Sequence, residues 1–219
     1  MYVLNYTLLT LWNYPLSVLE LIAVLTGFAA VLFASKAWSI NFLFGIVNCI
    51  AYFILYFQHR LYSVMLLQLV YFGFSIYGYY YWRHPKSEEA DKNKQQRIKM
   101  LSVKTRFIYF VAIIMTGLVW GWFVIHLQAR YPEYFDPPAF PWLDAILTMG
   151  SVGAQYLLSR KYWDNWPLWV IIDGISTVLY ACMGMFFTSI LFATFTLIAI
   201  RAQYDWRKTY DKYEGEQGY

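Results

Sequence analysis

The chain has 219 residues, of which 60% are hydrophobic, 22% aromatic and only 14% charged, a balance that excludes an ordinary soluble domain and indicates an integral membrane protein. Its net charge of +4 is scattered over short loops rather than gathered on one face, so no nucleic-acid partner is expected. Neither the two cysteines, Cys49 and Cys182, nor the three histidines, His59, His84 and His126, have metal-ligand spacing, so no metal and no cofactor are expected.

In chain order, residues 1–15 lack the basic start of a cleavable signal peptide and read as a polar-aromatic lead-in at the outer membrane surface. Seven apolar stretches follow, each near the roughly 20 residues that cross a bilayer as a helix. They are Leu16–Ser35, Ala37–Phe57, Leu61–Tyr81, Phe107–Leu127, Trp142–Ser159, Trp166–Met185 and Phe186–Tyr204, with a tight corner near Gly184 between the last two. None alternates in polarity as barrel strands would, so the class is an all-α membrane protein with seven transmembrane helices.

Loop charge sets the expected orientation. The loop over residues 83–106 carries eight Lys/Arg and belongs inside by the positive-inside rule, together with Lys36, the pair Arg160-Lys161 and the tail over 208–219. The loop over 128–141, with its acidic, proline-rich end Glu133–Pro141, then falls outside, giving an outer N-terminus and a cytoplasmic C-terminus.

The chain also repeats itself. The first three spans align with the last three at an offset of 125, falling to 124 after one deletion. Leu19-Glu20 meets Leu143-Asp144, Ser35-Lys36 meets Ser159-Arg160, Trp38 meets Trp163, Asn48 meets Asp173, Tyr56 meets Tyr180, and Trp82-Arg83 meets Trp206-Arg207. Three helices per unit would leave a directly joined second unit inverted, and the extra span over 107–127 restores its direction. The expected plan is therefore 3+1+3, two parallel repeats over 16–82 and 142–207 about a linker helix. Parallel repeats about an axis along the membrane normal are a transporter architecture, found in the SWEETs, and place substrate between the units near mid-membrane.

Asp173 is the residue that most needs an explanation, because a carboxylate in an apolar run costs at least roughly 2.5 to 3.5 kcal/mol to insert. It shares a helical stripe with Trp166, Trp169, Thr177 and Tyr180. The alignment gives a weaker echo in Asn41, Phe44 and Asn48 on the second span, continued by Tyr52, while Gln68 on the third lies at comparable depth. Aromatics to stack, amides to orient and one carboxylate to balance a charge suit a small polar ligand with a flat, cationic ring. The competing explanation is structural, since Asn and Gln bond across transmembrane helices and Trp anchors at interfaces.

The pattern Trp166-xx-Trp169-xxx-Asp173, its echo Asn41-xx-Phe44-xxx-Asn48 and the Trp-Arg ends of two spans resemble the PnuC family of bacterial nicotinamide riboside transporters, over about residues 16–208. The first repeat lacks the paired tryptophans of that motif. The resemblance implies facilitated uptake of nicotinamide riboside across the bacterial inner membrane, trapping by a separate cytoplasmic kinase for NAD synthesis, and a homotrimer. The alternative is a SWEET-like carrier of a neutral sugar or of a related vitamin such as thiamine, but a neutral sugar leaves Asp173 no charge to balance. A retinal protein would need a lysine within Phe186–Tyr204, which has none. An intramembrane enzyme would need a metal dyad or a nucleophile-base pair, and neither is evident.

Overall fold

The computed structural model describes residues 7–11, 14–58, 62–90, 96–133 and 140–217. Outside the described residues lie His59, Lys92 and Lys94, residues 134–139 of the proline-rich loop, and parts of the lead-in and of the tail end.

Among the described residues seven α-helices form, close to where the apolar runs lie: α1 (Val18–Ser35), α2 (Asn41–Gln58), α3 (Tyr62–Arg83), α4 (Val103–Arg130), α5 (Pro141–Ser159), α6 (Asn165–Cys182) and α7 (Phe186–Gln217). Two features differ from expectation. Part of the lead-in pairs as an antiparallel hairpin, β1 (Thr7–Leu11) with β2 (Tyr14–Ser17). The chain past residue 207, expected as a tail, instead continues α7, whose 32 residues span about 48 Å at 1.5 Å per residue.

Four helices are long and apolar enough to cross a membrane by length and composition, namely α1, α2, α4 and Phe186–Gly215 of α7. The other three reach 18 residues or more but are diluted by tyrosine, serine, glycine and, in α6, by Asp173. On the outside of the fold stand bulky apolar side chains, among them Val47 and Ile50 on α2, Phe107, Phe110 and Val119 on α4, and Ile190, Leu197 and Ile200 on α7. Water would penalise that surface, whereas lipid does not. Hydroxyls are handled as an apolar solvent demands: Thr26, Thr116, Ser151, Thr194 and Thr196 each donate to the carbonyl four residues earlier.

The chain divides into two compact units, Met1–Arg97 with Ser159–Lys161 and Asp211–Tyr219, and Ile98–Leu158 with Tyr162–Tyr210. In the first, α1 packs on α2 through Leu19, Ala23, Ala51 and Leu55. The Asn48 amide reaches past Gly27 to donate to the Ala23 carbonyl at 2.6 Å, and a Cβ on Gly27 would lie 2.8 Å from that amide nitrogen. α3 closes on α2 where Gly78 leaves room for the Phe42 ring, which stands edge-on to Trp82 at 4.9 Å. In the second unit α4 meets α5 at Gly117 and Gly121, whose missing side chains admit Ile146, Ala145 and Trp142. This close approach of helices through small residues is a membrane packing device.

Helix boundaries and local contacts recur at a constant offset of 124, which corrects the aligned register. α1 and α5 end at Ser35 and Ser159, α2 and α6 begin at Asn41 and Asn165 and end at Gln58 and Cys182, and α3 and α7 begin at Tyr62 and Phe186. The same turn leads into α2 and α6. A residue at positive φ, Ala37 at 57° or Lys161 at 59°, is followed by a backbone N–H bonded five residues back, Trp38 to Phe33 or Tyr162 to Leu157. Each new helix then opens on an asparagine whose amide donates to the carbonyl three residues earlier, Asn41 to Trp38 at 2.7 Å and Asn165 to Tyr162 at 2.6 Å. No gap is needed in this stretch, so Asp173 corresponds to buried Cys49 rather than to Asn48. Likewise Trp166 corresponds to Phe42, and Trp169 to Gly45.

Candidate functional site

α6 presents two unlike faces. Ile171, Ile175 and Val178 point outward, while Asn165, Trp166, Ile172, Asp173 and Ser176 are buried. The stripe through Trp166, Trp169, Asp173 and Tyr180 thus lies on or beside the inward arc, as its spacing implies.

Asp173 is 6% exposed. Among the described residues no donor lies within hydrogen-bonding distance of its carboxylate; its backbone carbonyl, besides its place in the helix ladder, accepts from the Thr177 hydroxyl at 2.7 Å. A buried carboxylate held by no structural partner is costly to the fold and available to a ligand. Trp169, one turn earlier, is half-buried, and Tyr180 stacks on Phe192 of α7 at 5.2 Å.

Other expected residues are engaged in the fold. Trp166 is 2% exposed and stands edge-on to Trp206 at 5.5 Å, its indole N–H meeting no acceptor among the described residues. Thr177 holds the Asp173 carbonyl and accepts the Ser189 hydroxyl on its own carbonyl at 2.8 Å, so its hydroxyl is already committed. Ser176, which spacing did not single out, is the buried hydroxyl one turn from Asp173 on the inward face.

In the first unit the echo is looser than the alignment suggested. Asn41 is 3% exposed and its amide donates to the Trp38 carbonyl in the turn before α2. Phe44 stacks on Phe33 of α1 at 5.2 Å, and Tyr52 stacks on Tyr56 at 5.4 Å. Asn48 donates to α1, which leaves its side-chain oxygen as the group a ligand could use. Gln68, 8% exposed, makes among the described residues only a long 3.4 Å contact to the Val64 carbonyl, outside the usual range, so its amide is nearly uncommitted there.

Two charged residues have roles that their sequence positions did not reveal. Glu20 closes a capping box with Ser17: the Ser17 hydroxyl accepts from the Glu20 N–H, and the Glu20 carboxylate accepts from the Ser17 N–H at 2.8 Å. The Ser17-x-x-Glu20 spacing carried that signal. Asp164, just before α6, accepts from the Leu101 N–H at 2.8 Å and pairs with Arg106 at 2.5 Å, which no local pattern announces.

Comparison with known proteins bears on the same stretch of chain. The family model for the nicotinamide mononucleotide transporter matches residues 17–208. Over 208 residues the chain is 31% identical to the nicotinamide riboside transporter PnuC of Escherichia coli (strain K12), covering 89% of this chain and 87% of that one. It is 25% identical to the riboflavin/roseoflavin transporter RibM of Streptomyces davaonensis, covering 87% of this chain and 81% of the relative. The fold is similar to that in the crystal structure of the vitamin B3 transporter PnuC, with a TM-score of 0.67 at 22% identity over 89% of this chain and 82% of the other. The chain is a member of the nicotinamide mononucleotide transporter family, a family of multi-pass membrane transporters rather than of enzymes.

Proposed function

We propose that this protein is a facilitator for uptake of nicotinamide riboside, with product trapped by a separate cytoplasmic kinase. The observation that carries this reading is Asp173, a carboxylate 6% exposed and held by no donor among the described residues, with the half-buried Trp169 one turn away. One negative charge beside an aromatic face suits the flat pyridinium cation of the riboside. In the proposal Trp169 stacks on the ring, Asp173 balances its charge and Ser176 takes a polar group of the carboxamide or the sugar, while Asn48 and Gln68 are the candidate amides of the first unit. Supporting it are the names of the E. coli relative and of the solved structure.

A neutral flat-ring vitamin is the second reading, favoured by the flavin relative from Streptomyces. It leaves the Asp173 charge without a purpose. The 3+1+3 plan of parallel repeats over 16–82 and 142–207 about a linker helix, with the basic loop cytoplasmic, completes the proposal. It is supported by the constant offset of 124 and by eight Lys/Arg in residues 83–106. The family resemblance further supports a homotrimer with one pathway in each protomer.

Isothermal titration of purified protein in detergent with nicotinamide riboside, nicotinamide, thiamine, riboflavin and glucose separates these readings. Nicotinamide riboside should bind most tightly. Preference for riboflavin or glucose over the riboside would overturn the proposal.

A further inference from the structure

The two inter-helix turns at the start of α2 and α6 are built alike, and among the described residues the second is tied to the α4 leader. Residues 98–106 lie across it. The Lys99 carbonyl accepts from the Trp163 N–H at 2.8 Å, within a parallel bridge between Lys99 and Tyr162. The Asp164 carboxylate accepts from the Leu101 N–H at 2.8 Å and pairs with Arg106 at 2.5 Å, and the Arg106 guanidinium lies 5.6 Å from the Trp163 ring. Trp163 in turn donates its indole N–H to the Gln203 carbonyl of α7 at 2.7 Å, and Arg207 of α7 contacts the Met100 sulfur at 3.3 Å.

These contacts are not needed to shape the turn. At the corresponding positions of the first repeat stand Ser39 and Ile40 in place of Trp163 and Asp164, and Ile40 is 41% exposed. The first turn nevertheless closes with a residue at positive φ, the same backbone bond and the same asparagine-to-carbonyl bond. What the ties add is a fastening of the α4 leader to the ends of α6 and α7. The fastening is also breakable: the Arg106 side chain is 39% exposed, so water can replace its half of the ion pair. α6 is the helix that carries Trp169 and Asp173, and a motion of its end relative to the α4 leader would carry Trp163 and Asp164 away from residues 99–106.

We infer that residues 98–106 form a releasable strap on α6, and that its release is an obligatory step of transport, separate from substrate binding. The inference rests on the proposed transport function. Replacing the exposed Cys182 with Ser and introducing Lys99→Cys with Tyr162→Cys places two thiols at the bridged positions, where a disulfide would hold the strap closed. In proteoliposomes, the oxidised protein should bind nicotinamide riboside within two-fold of the reduced protein but transport it at least ten-fold more slowly, with full recovery on reduction. In the unlinked protein, Asp164→Asn should speed amide exchange at Leu101 and raise the transport rate without raising affinity. Unimpaired transport with the disulfide complete would overturn the inference, and so would equal loss of binding and transport. Reduced protein that ignores the riboside but carries another ligand would instead refute the proposed substrate, and the oxidised-against-reduced comparison would then be read with that ligand.

Discussion

Asp173→Asn tests the site at the residue on which the functional reading depends. The amide keeps the size and most hydrogen-bonding capacity of the carboxylate but removes its charge. At about 5 Å from a pyridinium, with an effective dielectric constant near 20, the pair attracts by roughly 3 kcal/mol before any loss to residual water or charge delocalisation. A net loss on the order of 1 to 3 kcal/mol is therefore expected, a roughly 5- to 150-fold weaker Kd for nicotinamide riboside. The structure adds a second arm. Since no donor among the described residues holds the Asp173 carboxylate, the substitution breaks no helix-to-helix bond there, and the thermal midpoint of the ligand-free protein should stay level or rise. Both arms are read on purified protein, by isothermal titration with the riboside and with a neutral reduced-ring analogue, and by a thermal melt. Equal losses for charged and neutral ligands, or a fall of several degrees in the midpoint, would show Asp173 to be a structural acid and end the cation-pairing argument.

Asn48→Ala is expected to lower stability by about 1 kcal/mol through loss of the bond to Ala23, as well as riboside affinity; a melt and a titration on the same preparation separate the two, and unchanged affinity removes Asn48 from the site. Gly78→Ala should destabilise by roughly 1 to 3 kcal/mol because its Cβ would overlap the Phe42 ring packed on Trp82. Gly174→Ala, with nothing within 4 Å of the added carbon, should be neutral or stabilising by about 1 kcal/mol, so an equal fall in midpoint for both variants would contradict the described packing. A cysteine introduced at Ser87, in the short 3-10 helix Ser87–Glu89, should react with a membrane-impermeant maleimide only in inside-out vesicles; labelling in intact cells would reverse the proposed orientation.

Local properties of the chain were enough to define most of its helices. Apolar length and flanking polarity put the helices within a few residues of their final bounds, save the far end of α7, which runs to Gln217 rather than Tyr204, because in lipid a backbone must satisfy its own hydrogen bonds segment by segment. Gly184, at φ 74°, forms the corner expected of it. The inward position of Asp173 was legible for a related reason: a 3.6-residue period assigns faces before any partner is known. What tertiary structure decided was how polar groups are shared between elements. Asparagine looks alike in sequence whether it bonds back into the turn before its own helix, as Asn41 does, or ties α2 to α1, as Asn48 does. Matching turns at Ala37 and Lys161 and matching asparagine bonds at Asn41 and Asn165 set Cys49, not Asn48, at the position equivalent to Asp173, because hydrophobic residues tolerate a one-residue slip in alignment that backbone turns do not. The bonds of Asp164 to Leu101 and Arg106 reach across about sixty residues, and no sequence period encodes them; they exist only because folding brings the α4 leader to the end of α6.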